Sequence, residues 1–83
     1  MYKRQDLNVE IIVNSRAKVV PSSHVTYEQI VALAFPGPHD ATVVFSMTFE
    51  CAVSIPTEGS LGVGGCVQVK KGTIFNVTRT VQS

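Results

Sequence analysis

Along residues 7–13 the chain alternates apolar and polar positions, Leu7-Asn8-Val9-Glu10-Ile11, until Ile12 breaks the rhythm and Val13 resumes it. A period of two belongs to a strand with one buried face, so Leu7, Val9, Ile11 and Val13 are predicted to point to the core. Asn14-Ser15-Arg16 reads as a short turn. Ala17-Lys18-Val19-Val20 reads as a second strand, stopped by Pro21, which has no N–H to give a ladder. The two form an antiparallel hairpin, with Ala17 and Val19 expected inward and Lys18 in water.

After Pro21 the period becomes helical. Thr26-Tyr27-Glu28-Gln29 has the form of a capping box, in which Thr26 accepts from the Gln29 N–H and the Gln29 side chain reaches back. Val25 and Ile30 stand where a hydrophobic staple would place them. Tyr27, Ile30, Val31 and Ala34 recur at helical spacing, with Leu33 beside them, and Pro36-Gly37-Pro38 ends the helix. From Ala41 to Phe49 the period of two returns, with Val43, Phe45, Met47 and Phe49 on one side and Thr42, Val44, Ser46 and Thr48 on the other. Ser54 to Gly65 is rich in glycine and reads as a long irregular loop. Cys66 to Lys70 is a short strand, Lys71-Gly72 a turn, and Thr73 to Thr80 a last strand with Phe75 and Val77 inward.

This order predicts a two-layer α+β domain over residues 1–83: a β-grasp, a mixed sheet with one helix packed across one face. A ferredoxin-like fold needs a second helix, and none is written here. In a β-grasp the final strand lies at the centre of the sheet, parallel to the first. If Leu7, Val9, Ile11, Val43 and Phe45 face the helix, the pleat sends Ile12 and Val44 to the outer face. There Thr42, Ser46, Asn76 and Thr78 would surround them, giving an apolar centre with an uncharged rim. That face is the candidate surface for a partner or for self-association.

Charge sharpens the picture. The 83 residues carry seven Lys and Arg against six Asp and Glu, for a net charge of +1. No basic cluster is long enough to track a nucleic acid backbone. Charged residues make up 16% of the chain, against about 25% in ordinary domains, so some surface is expected to be covered by something other than water. Residues 29–69 hold only Asp40, Glu50 and Glu58, whereas the flanks hold all seven basic residues. Such a split suits head-to-tail pairing into rings or filaments. No stretch nears the roughly 18 apolar residues of a membrane span. Asp6, Asn8 and Glu10 interrupt any signal sequence after Lys3 and Arg4. The expected place is the cytoplasm.

Candidate chemistry is thin. His24, His39, Asp40 and the serines lack any strained nucleophile turn, and the histidines read as exposed loop residues. Cys51, Cys66, His24 and His39 match no zinc spacing. Gly62-Val63-Gly64-Gly65 lacks the Lys-Ser/Thr of a phosphate loop. Asn76-Val77-Thr78 has the form of a glycosylation sequon but falls in a predicted strand. No catalytic residue, metal or cofactor is expected. Pairing the third and fourth strands about a midpoint between Glu58 and Gly59 would set Cys51 opposite Cys66, as neighbouring thiols.

Several phrases together resemble a known family. Val13-Asn14-Ser15-Arg16, Ser23 to Leu33, Gly59-Ser60-Leu61 with Gly64, and Val67 to Thr80 look like the bacterial multiubiquitin type of ubiquitin-like domain. The Tyr27-Glu28 pair and the Lys71-Gly72-Thr73-Ile74-Phe75-Asn76-Val77-Thr78 ending carry most of the likeness. The resemblance implies a ubiquitin-like protein modifier, not an enzyme. It implies as partners an activating enzyme, a conjugating enzyme and a metal-dependent deubiquitinating peptidase from the same gene cluster, in antiviral defence. Ser83 is then the conjugation terminus. Ubiquitin-like modifiers usually end in Gly-Gly, and here the sequence reads Thr80-Val81-Gln82-Ser83. The family's enzymes accept Ser83, or a longer tail has been removed, or the domain is not conjugated and works by self-assembly. A sulfur carrier shares the fold but needs the same glycine tail, and ranks last.

Overall fold

The hairpin that opens the fold is set by its turn. In the computed structural model, which describes residues 8–37 and 42–81, Asn14 and Ser15 both take positive φ, 51° and 71°. That is the two-residue turn whose twist suits a hairpin. It pairs Val13 with Arg16, so β1 (Val9–Val13) and β2 (Arg16–Val20) match Ile11 with Lys18 and Val9 with Val20. Val20 is therefore buried and Lys18 half-buried, while Ala17 and Val19 are exposed. This corrects the expected phase of β2. A two-residue turn, in place of a three-residue one, moves every side chain of the second strand to the other face.

Helix α1 (Tyr27–Ala34) begins at the capping box read from the sequence. The Thr26 hydroxyl accepts from the Gln29 N–H at 3.2 Å, and Gln29 Oε1 accepts from the Thr26 N–H at 2.9 Å. Val25 and Ile30 are both fully buried, as the staple requires. At the other end the Phe35 N–H donates to the Val31 carbonyl at 2.8 Å before Pro36 stops the chain. A helix of two turns is held by its packing, here on β1 and β7.

β4 (Val43–Glu50) and β7 (Ile74–Val81) pair antiparallel along their whole length, from Val43↔Val81 to Glu50↔Ile74. β7 also pairs parallel with β1, through Ile12↔Ile74 and Val13↔Phe75. The sheet order is β2-β1-β7-β4-β5, with the last strand of the sequence at its centre. That mixed sheet, with α1 across one face, is a β-grasp. Phe75, Ile11, Ile30, Val13 and Val25 are the largest fully buried side chains. Phe49 and Phe75 pack at 6.3 Å between ring centres, tilted by 42°. Val43 to Glu50 keeps the predicted alternation, with Met47 and Phe49 buried.

Two short strands lie where the sequence suggests none. β5 (Gly59–Ser60) folds back on β4 through Phe49↔Gly59 and Thr48↔Ser60. β3 (His24–Thr26) pairs with β6 (Cys66–Gln68) in a separate two-stranded sheet, through Thr26↔Cys66 and His24↔Gln68. These registers correct the cysteine expectation. The return from β4 is centred on Ser54, tightened by the Ala52 N–H donating to the Thr57 carbonyl at 3.0 Å. Cys66 consequently faces Thr26 on another strand, and both cysteines are exposed free thiols.

Candidate functional site

Three features of this fold have the chemistry of recognition: the central strand that leads to the C-terminus, the outer sheet face, and a groove beside β2.

β7 is held by a side chain as well as by its neighbours. After Val13 the chain turns away from β7, which would leave the next rung of the parallel ladder unmade. Asn14 makes it. Its backbone N–H donates to the Phe75 carbonyl at 3.0 Å, its Oδ1 accepts from the Val77 N–H at 2.8 Å, and its Nδ2 donates to the Val77 carbonyl at 3.1 Å. At the start of the strand the buried Thr73 hydroxyl donates to the Cys51 carbonyl at 2.8 Å and accepts from the Lys70 N–H at 2.9 Å. Gly72 stands in the turn before it at φ 94°, which suits a glycine. Ser83, the candidate conjugation terminus, lies outside the described residues, as do Leu7, His39 and Asp40.

The outer face is built of rungs whose partners the registers give. Ala17, Ile12, Ile74 and Glu50 form one row across four strands. Beyond it lie Asn76 with Thr48, then Thr78 with Ser46, then Thr80 with Val44. Val44 is 41% exposed, and Thr42, Ser46, Asn76 and Thr78 are exposed around it. Ile12 and Val44 do share the face, as the pleat required. They do not form one apolar centre. Six residues along β4 separate Val44 from the row of Ile12, about 20 Å of strand. The expectation of a joint patch failed because β1 pairs with the beginning of β7 while Val44 pairs near its end. Ile12 instead adjoins Ala17 and Ile74, with Val19 59% exposed on the same face. The alternation of Ile74 with Asn76, Thr78 and Thr80 was visible in the sequence and would have placed Ile74 there.

On the helix side, Asn14, Arg16, Lys18, Leu33, Ala34 and Pro36 border a groove of about 450 Å³. A second, more apolar groove of about 320 Å³ lies across the helix, between Tyr27, Val31, Gly37 and Phe45, with Glu28 at its rim. The glycines near it are structural. The Gly65 carbonyl accepts from the Tyr27 N–H at 3.1 Å, and the Gly64 N–H donates to the Glu28 carboxylate at 3.4 Å. His24 is exposed on β3. Among the described residues no group of three or more His, Cys, Asp and Glu side chains is placed to hold a metal. No helix of the described residues is long and apolar enough to cross a membrane.

No curated protein and no solved structure matches the chain. A family model described as Multiubiquitin matches residues 9–81, from the first residue of β1 to the last of β7. The sheet order, the capped helix and the central final strand are what a ubiquitin-like domain requires, and the match spans all of them: the chain belongs to the multiubiquitin family of ubiquitin-like domains.

Proposed function

We propose that this ubiquitin-like domain is a protein modifier, activated at its C-terminal carboxylate and joined to target proteins by a ubiquitination-like pathway. The observation that carries the reading is the place of β7. The strand that ends at Val81 is clamped on both sides, by β4 over its full length and by β1 and Asn14 over its first half. The two residues that follow Val81 in the sequence span at most about 7 Å, so in this reading either the end of β7 frays from about Thr78 when an activating enzyme engages it, or the natural precursor is longer. The family resemblance supports the rest: an activating enzyme, a conjugating enzyme and a metal-dependent deubiquitinating peptidase as partners, in the cytoplasm of a bacterium defending itself against viruses. In this reading Ser83 is the residue conjugated. Val44, with Thr42 and Ser46, is one contact area for those partners, and Ile12 with Ile74 is another.

The test is to incubate the chain with the activating enzyme of its gene cluster and ATP, and to repeat it with two residues added or removed after Gln82. A thioester that depends on this length is the expected result. Equal thioester formation at every length contradicts a defined terminal carboxylate.

A second reading, self-assembly into rings or filaments, is favoured by the distribution of charge on the sheet. Arg16 and Lys18 sit on the edge strand β2, whereas Glu50 ends β4 and Glu58 immediately precedes β5 at the opposite edge. Edges of opposite sign attract head to tail. Sedimentation of the purified chain at low and high salt tests it: salt-sensitive oligomers support assembly, and a monomer in both contradicts it. The two readings are compatible, since a modifier can also assemble.

A further inference from the structure

We propose that the groove between α1 and β4 binds an arginine side chain of a partner protein. Its walls come from the helix and from the first half of β4. Tyr27 reaches from one to the other, its hydroxyl donating to the Phe45 carbonyl at 3.4 Å, so its ring is held at both ends. The Phe45 side chain lines the same groove and is backed by Phe35, with 5.6 Å between ring centres. Along α1, Val31 follows Tyr27 by one turn and Ala32 follows Glu28, so the four side chains share one flank of the helix. Val31 is buried and Ala32 exposed. Gly37 closes the far end, where a Cβ would meet nothing within 4 Å. The space of about 320 Å³ falls in the range of ligand clefts.

A single charge borders this apolar groove. Glu28 is the only charged residue of α1, and its carboxylate accepts from the Gly64 N–H at 3.4 Å. That bond sets its direction and leaves most of its acceptor capacity unused. No cation among the described residues pairs with it.

Aromatic rings and a carboxylate around an apolar cleft complement a cation carried on a hydrocarbon stem. The stem would pack on Val31, Ala32 and Phe45, and the charge would meet Tyr27 and Glu28. Arginine suits the site better than lysine. Its planar guanidinium stacks on a ring, takes a carboxylate through two N–H groups, and is more weakly hydrated than an ammonium. This recognition needs no activated terminus, so it is independent of the modifier reading.

The probe is an end-capped pentapeptide with arginine between two leucines, titrated into the full chain and followed by amide shifts in NMR spectra. Saturable shifts are expected at Tyr27, Val31, Ala32, Gly37 and Gly64. The same peptide with citrulline, a neutral isostere of arginine, should bind about tenfold more weakly, because it loses both the ion pair and the cation–π contact. Glu28→Gln keeps an acceptor for the Gly64 N–H and should weaken the arginine peptide about fivefold. In that variant the exchange to citrulline should cost only about twofold more. Ala32→Leu fills the groove and should abolish binding of both peptides. Glu28 and Ala32 are exposed, so both variants should melt with the parent. Equal binding of the two peptides, undiminished binding by either variant, shifts that map to β2 or the outer face, or no binding up to millimolar peptide overturns the proposal. If the same amides shift when the chain alone is concentrated, the occupant is a second copy, and a partner's arginine is overturned.

Discussion

Replacing Asn14 isolates what holds the central strand. Its side chain makes two hydrogen bonds to the backbone of Val77, at 2.8 and 3.1 Å, at a point where β1 has already turned away. Asn14→Gly keeps the positive φ of 51° without strain and removes both bonds. At about 1 kcal/mol for each part-buried hydrogen bond, the expected loss is about 2 kcal/mol. Asn14→Ala removes the same bonds and adds the left-handed penalty of a Cβ, a further 1 kcal/mol or about that. Asn14→Asp keeps an acceptor for the Val77 N–H but sets an oxygen against the Val77 carbonyl, and should fall between parent and glycine. In a domain of this size about 2 kcal/mol lowers Tm by roughly 8–16 °C. Urea and thermal unfolding followed by circular dichroism read the series directly. A glycine variant within about 0.5 kcal/mol of the parent, the scatter of ordinary surface changes, would refute the claim that Asn14 completes the ladder.

Other substitutions follow from the same geometry. Thr73→Val is nearly isosteric but strands the Lys70 N–H and the Cys51 carbonyl that the hydroxyl now joins, so unfolding in urea should show a loss of about 2 kcal/mol. Gly72→Ala, at φ 94°, should cost about 1 kcal/mol in the same assay. Val44→Asp, on the solvent face, should leave the melting curve within about 0.5 kcal/mol of the parent and weaken association with partners or copies; an unfolded variant would place Val44 in the core. Cys51 and Cys66, both exposed, should each take one equivalent of a thiol reagent in the native state by intact mass, and an intramolecular disulfide after mild oxidation would contradict a register that pairs Cys66 with Thr26 and leaves Cys51 just past the end of β4.

The elements legible in the sequence were those whose local signal agrees with their tertiary place. The box at Thr26 and Gln29 and the stop at Pro36 are local chemistry, and the helix begins and ends with them. β4 and β7 alternate cleanly because each has one buried face. What failed was register. Whether Ala17 or Lys18 faces inward depends on one residue of turn length, and Asn14-Ser15-Arg16 does not announce that Arg16 already belongs to the strand. β3 and β5 are three and two residues long, too short for any period to show. Their existence depends on what lies across from them. The outer face was half legible for the same reason. Alternation puts Ile12 and Val44 on one side, but only the pairing of β7 with both neighbours tells how far apart they lie. The groove at Arg16 and Lys18 joins the hairpin to the far end of the helix, a contact that no local pattern encodes.

Conjugation itself can be read from its product. Trypsin cleaves after Arg79, so a target lysine modified by this chain would keep a branch that begins Thr80-Val81-Gln82. The chain, expressed with the activating and conjugating enzymes that the proposed pathway requires, is digested and searched for lysines bearing that branch by tandem mass spectrometry. The expected result is a set of branched peptides that vanishes when the activating enzyme is inactivated. Abundant free chain with no branched lysine, in cells where the enzymes are active, would contradict a modifier and leave self-assembly as its function.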